Sequence, residues 1–145
     1  MSHTYILFTV AGTSYALKSD TVLHMEMVEH ITPVPNAAPS VEGVVFSRGH
    51  VVPVINLRAR FGFDRKPMDL RTRLLVVERE GRRIGLLADD AREFIRIDHG
   101  TIHPPHQAIG GLSGNYLEGV ATLGERIVLI LDVREVVDAI PVAAA

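Results

Sequence analysis

The 145-residue chain carries the same pattern twice. Val41-Glu42-Gly43-Val44 returns as Leu117-Glu118-Gly119-Val120, and the residues behind each copy also match. The first copy continues Arg48-Gly49-His50-Val51-Val52-Pro53-Val54-Ile55-Asn56-Leu57-Arg58. The second continues Gly124-Glu125-Arg126-Ile127-Val128-Leu129-Ile130-Leu131-Asp132-Val133-Arg134, and the alignment needs no gap. Upstream, Tyr5-Ile6-Leu7-Phe8, Gly12 and Tyr15-Ala16-Leu17 match Leu74-Leu75-Val76-Val77, Gly81 and Ile84-Gly85-Leu86. A repeat of this kind restricts the fold to two similar halves. Each half is of a size at which an independent core is marginal. Only the short polar turn Lys66-Pro67-Met68-Asp69 lies between them, so two subdomains on a shared core are expected.

The apolar runs have strand length and strand composition. Tyr5 to Val10, Leu74 to Val77, Ile84 to Leu87 and Ile127 to Leu131 are β-branched and short. The turns around Gly12 and Gly81 join paired runs as hairpins. Leu23 to Val28 and Glu93 to Ile97 alternate in part, as half-buried strands do. Two short helices are expected. One is Leu57 to Phe61, ended by Gly62. The other runs from Asp132 to Ile140, with Asp132 as its cap and Pro141 as its stop. Many short strands at even spacing imply closed barrels, because closure removes exposed edges. Two proline-rich links, Ile31 to Pro39 and Ile102 to His106, hold equivalent places in the repeat. The second is extended by the glycine-rich stretch from Gly110 to Gly114, which is expected to be mobile.

Several function classes lose support. A net charge of −2 supplies no cationic footprint for nucleic acid. The absence of cysteine excludes disulfides, thiolate catalysis and Cys-ligated zinc. No run approaches a membrane span and the N-terminus lacks a signal-peptide pattern, so a cytoplasmic domain without membrane insertion is expected. Asp89 and Asp90 are neighbours whose side chains diverge, and Asp89 repeats Asp20, which reads as a turn or cap residue. Two prolines separate His103 from His106, so no metal site is expected there. No phosphate-binding loop or nucleophile elbow occurs, and no cofactor is expected. The remaining signal is apolarity. With 47% hydrophobic residues, two small cores either leave an apolar patch for a partner or consume these side chains in a common interior.

The run from Pro35 to Gly62 resembles the CheW-like domains of chemotaxis coupling proteins, above all in Glu42-Gly43, Arg48-Gly49, Pro53 and Leu57-Arg58. The likeness extends to Phe8-Thr9-Val10, Gly85-Leu86-Leu87-Ala88-Asp89 and Tyr116-Leu117-Glu118-Gly119. It implies an all-β fold with short helices: two SH3-like five-stranded barrels around one hydrophobic interior. The expected division is one domain, with 15–72 forming the first barrel and 1–14 plus 73–145 the second, which ends in a helix. The resemblance further implies a non-enzymatic adaptor. Its partners would be the cytoplasmic tip of methyl-accepting chemoreceptors, the regulatory domain of the histidine kinase CheA, and other CheW-like domains. A pili or gliding pathway is the alternative to a flagellar one, and a small-barrel ligand or nucleic-acid binder ranks below both. Matching motif positions puts the receptor or kinase contacts at Val22, His24, Val41, Gly43, Arg48 and Gly49. A buried position with no room for a side chain is the competing role for Gly43, core packing for Val22, and a structural hydrogen-bonding role for Arg48. The chain departs from the family at Phe46-Ser47, where Asn-Leu is common, at His24, where glutamate is frequent, and at Asn56, where aspartate is frequent. A carboxylate beside His24 would make binding pH-sensitive.

Overall fold

The structure is a computed structural model that describes residues 1–105 and 116–138, with the side chain of Arg92 excepted. The glycine-rich stretch, His106 and the end of the second helix lie outside the described residues. Strands are β1 (Ser2–Val10), β2 (Thr13–Lys18), β3 (Val22–Glu26), β4 (Val41–Ser47), β5 (His50–Asn56), β6 (Arg73–Arg79), β7 (Arg82–Ala88), β8 (Asp90–Asp98), β9 (Ile102–His103), β10 (Leu117–Leu123) and β11 (Arg126–Leu131). Two short helices, α1 (Leu57–Arg60) and α2 (Val133–Val137), follow β5 and β11.

These strands form a five-stranded sheet in the order β3-β6-β7-β5-β4 and a six-stranded sheet in the order β8-β1-β2-β11-β10-β9. The fold is the expected pair of SH3-like barrels, but the chain is divided between them differently. β6 and β7 (73–88), expected in the second barrel, complete the first. All of β2 sits in the second barrel beside β1, although 15–72 had been assigned to the first. The reason lies in the parallel pairings. β7 runs beside β5 with Val54 opposite Gly85, and β2 runs beside β11 with Ile130 opposite Ala16. Each half of the repeat thus lends its leading hairpin to the other half's sheet.

The repeat extends to strand register. Val22 and His24 face Val77 and Val76 across a bulge, and Ala91 and Glu93 face Phe8 and Leu7 across a matching bulge. A second pair of bulges lies at Val41/Gly43 and Leu117/Gly119. Gly43 and Gly119 mark the places where a link crosses close to a strand. A Cβ on Gly43, at φ 147°, would collide with the carbonyl of Thr32, which is hydrogen-bonded to Val44. A Cβ on Gly119 would meet Ile102 Cγ2 at 2.6 Å.

The largest apolar cluster lies between the sheets. It joins Ile6, Phe8 and Leu17 of one barrel to Ile55, Leu75 and Leu86 of the other, with Val136 and Val137 of α2. Smaller clusters fill each barrel. Both helices begin at equivalent caps: the side chain of Asn56 accepts from the Ala59 amide at 3.2 Å, and that of Asp132 from the Arg134 amide at 3.0 Å. Gly62, at φ 87°, follows α1 as expected for a C-terminal glycine.

Candidate functional site

The sequence-predicted residues fall on the two outer strands of the first barrel and the turn at the end of one of them. Val22 and His24 lie on β3; Val41 and Gly43 lie on β4; Arg48 and Gly49 form the two-residue turn into β5. Their φ values of 47° and 82° match a type I′ hairpin turn, whose twist suits the flanking strands. Arg48 is exposed, and its guanidinium makes no hydrogen bond or ion pair among the described residues. Val22 and Val41 are partly buried against the shared core, and Gly43 is buried under Thr32. Sequence position therefore joins residues of two kinds: an exposed turn, and packing positions that hold the strands beneath it.

His24 is the contact between those strands. Its Nε2 lies 3.2 Å from Ser47 Oγ and 3.1 Å from Glu26 Oε2. The Ser47 hydroxyl donates to Glu26 Oε2 at 2.9 Å. Ser47 is 4% exposed and the His24 side chain 7%. The carboxylate invoked from sequence is thus present beside His24. The arrangement does not activate a nucleophile. The one Ser47 proton goes to Glu26, so the serine oxygen receives the histidine N–H rather than giving its proton to the ring.

A second polar cluster ties the barrels together. Arg58 of α1 donates to both carboxylate oxygens of Asp89, with Nε at 2.9 and 3.0 Å and Nη2 at 2.7 Å. Asp89 stands where the chain leaves one sheet for the other, and Oδ2 also accepts from the Ala11 amide at 2.9 Å. Burial pushes the Asp89 carboxyl up. The hydrogen bonds from Arg58 and Ala11 and the charge of Arg58 outweigh this and hold it below the usual carboxylate range. The turn reading of Asp89 anticipated its backbone contact and missed its ion pair.

Sequence reasoning also missed the exposed apolar residues. Phe46 (77% exposed) and Val51 (66%) face each other across the β4–β5 hairpin. Beside them lies a groove of about 540 Å³ whose walls include Val51, Pro53 and Ile84 as well as His50, Arg82 and Arg83. A second groove of about 370 Å³ runs along the junction between barrels and is lined by Lys18, Glu78, Arg79, Glu118, Asp132 and Arg134, among others. None of the six expected contact residues is among the described residues lining either groove. Phe94 and Ile127 are exposed apolar residues on strands of the second barrel, and their neighbours Glu93 and Arg126 form an ion pair at 3.3 Å. The signal for Phe46 was its outward phase on β4, between buried Val45 and Ser47.

Two fused barrels, exposed apolar residues and an Arg48 guanidinium free among the described residues suit a protein-binding scaffold. The chain belongs to the CheW-like domain family, whose pattern matches residues 4–140. Among relatives, it is 31% identical to the chemotaxis protein CheW of Helicobacter pylori, over 91% of this chain and 79% of that one. It is 25% identical to CheW of Klebsiella aerogenes, over 90% of this chain and 79% of that one. The crystal structure of the scaffolding protein TtCheW from Thermoanaerobacter tengcongensis superposes with a TM-score of 0.82 at 29% identity, covering 91% of this chain and 90% of that one. The protein is accordingly a non-catalytic chemotaxis scaffold of the CheW type. Among the described residues, no helix is long and apolar enough to cross a membrane.

Proposed function

We propose that the protein couples methyl-accepting chemoreceptors to the histidine kinase CheA at the cytoplasmic face of a receptor array. The observation that carries this reading is one rigid β4–β5 hairpin that presents two features of different chemistry, at its turn and on its outer face. The β3–β4 edge presents the Arg48 turn, with its guanidinium free among the described residues. The hairpin face presents Phe46 and Val51 beside a groove that Arg82 and Arg83 help to line. Family membership supports assigning the first to the helical receptor tip and the second to the CheW-like regulatory domain of the kinase. A guanidinium suits the carboxylates of a charged helix surface. An apolar pair with a cationic margin suits a barrel end of complementary character. The shared core makes the body stiff, so that a displacement at one surface is felt at the other.

The test is autophosphorylation of CheA with membrane-bound receptor fragments, with and without this protein. Stimulation or receptor control that requires all three components supports coupling. No change in phosphorylation, with the protein folded and present in excess, overturns it.

A further inference from the structure

β3 and β4 are the outer strands of the first sheet and do not pair with each other. Among the described residues, two polar links join the β4 side of this barrel to the β3 side, over the apolar cluster of Val45, Val76 and Ile31. One is the backbone bridge between Thr32 and Val44. The other is the triangle of His24, Ser47 and Glu26.

The internal repeat provides a comparison for that triangle. Register pairs His24 with Val76 and Glu26 with Leu74 on β6; in the second barrel the same places opposite β1 are held by Glu93 and Ile95. Ser47 ends β4 opposite His50, as Leu123 ends β10 opposite Arg126. Ile95 and Leu123 pack on the apolar cluster of the second barrel. The fold therefore accepts apolar side chains at the places of Glu26 and Ser47, with an exposed Glu93–Arg126 ion pair at the places of His24 and His50, and a buried polar triangle is not required for closure. Apolar contact holds two strands together without direction, whereas hydrogen bonds of 2.9–3.2 Å also fix their angle and offset.

We infer that the His24–Ser47–Glu26 triangle is a positioning device that sets the Arg48 turn at a defined place relative to β3. Ser47 immediately precedes Arg48, so its two hydrogen bonds anchor the base of the turn. His24 and Glu26 act through Ser47 rather than by touching a partner. The consequence for receptor binding rests on the function proposed above; the geometric role does not.

Three variants test it. Ser47→Ala removes the vertex. His24→Gln keeps an N–H donor on a side chain of comparable reach. The triple His24→Val, Glu26→Ile and Ser47→Leu replaces the triangle by an apolar seam and leaves no buried imidazole without a partner. Amide hydrogen exchange across β3, β4 and the turn is followed together with affinity for a soluble receptor-tip fragment and for the kinase regulatory domain. Ser47→Ala is expected to speed exchange in these segments roughly tenfold and to weaken receptor binding by a similar factor, with kinase-domain binding unchanged. His24→Gln is expected to keep both readings near the wild-type value. The apolar triple is expected to stay folded, with thermal stability near that of the wild type, and still to lose receptor affinity. Unchanged exchange in Ser47→Ala, or full receptor affinity in the apolar triple, overturns the inference. If the wild-type protein does not bind the receptor fragment at all, the coupling function fails, and exchange in Ser47→Ala alone decides the role of the triangle.

Discussion

Arg58 holds Asp89 by both carboxylate oxygens, and Asp89 holds the Ala11 amide, so one ion pair joins α1, the crossing between sheets and the first hairpin. Removing one partner leaves the other half-buried and uncompensated. Asp89→Asn is expected to destabilise the protein by about 1–3 kcal/mol at neutral pH, measured by urea denaturation. The folded carboxyl ionises at lower pH than its unfolded counterpart. Its contribution is thus complete above the unfolded value of about 3.9 and fades as pH falls through the folded value. The stability gap between wild type and Asp89→Asn should narrow with acidification below roughly pH 4.

Gly43 and Gly119 occupy equivalent bulges but meet different neighbours. At Gly43 the obstacle is the Thr32 carbonyl, which is held in a backbone bridge; at Gly119 the nearest atom is a side-chain methyl. Gly43→Ala is expected to cost about 2–3 kcal/mol or more, and Gly119→Ala less, because Ile102 can change rotamer. Paired thermal melts check the order. Equal losses would mean that the Thr32 link yields as easily as a side chain.

Arg48 pays a backbone penalty where it stands, at φ 47°. Asparagine tolerates that conformation better. Arg48→Asn is expected to raise stability by a few tenths of a kcal/mol while weakening receptor binding. Arg48→Glu should weaken binding further with little effect on the melt. Loss of folding in either variant would make Arg48 a structural residue.

Phe46 is exposed and its removal opens no cavity. Phe46→Ser is expected to leave folding stability within about 0.5 kcal/mol of wild type. Affinity for the kinase regulatory domain should fall by about 2 kcal/mol, measured by calorimetry. Equal affinity would remove the β4–β5 hairpin from the kinase interface.

The duplication, the hairpin turns and the helix at Asp132 could be read directly from the chain, because each is a matter of local spacing. Partnership between strands could not. Alternation identifies β2 and β7 as strands but carries no record of the parallel pairings to β11 and β5, which are decided by how two amphipathic sheets share one core. The same limit applies to the site. Gly43 without room and Gly49 in a tight turn follow from glycine chemistry. The triangle does not, because Ser47 lies more than 20 residues from His24 and Glu26 and is brought there only when the barrel curls. Phe46 alternates with buried Val45 and Ser47, but only once the bulge at Val41/Gly43 is known does that alternation give its outward direction.

The exchanged hairpins also dictate an order of events during synthesis. The strands of the first sheet are all present only once Ala88 has been made, because β6 and β7 come from the second half. The opening hairpin waits longer still, since its parallel neighbour β11 ends at Leu131. Until then Ile6, Phe8 and Leu17 have no complete interior to enter, and the outer edge of β2 stays unpaired. The two barrels therefore become able to close one after the other, and the interval between them leaves one hairpin edge open to other chains.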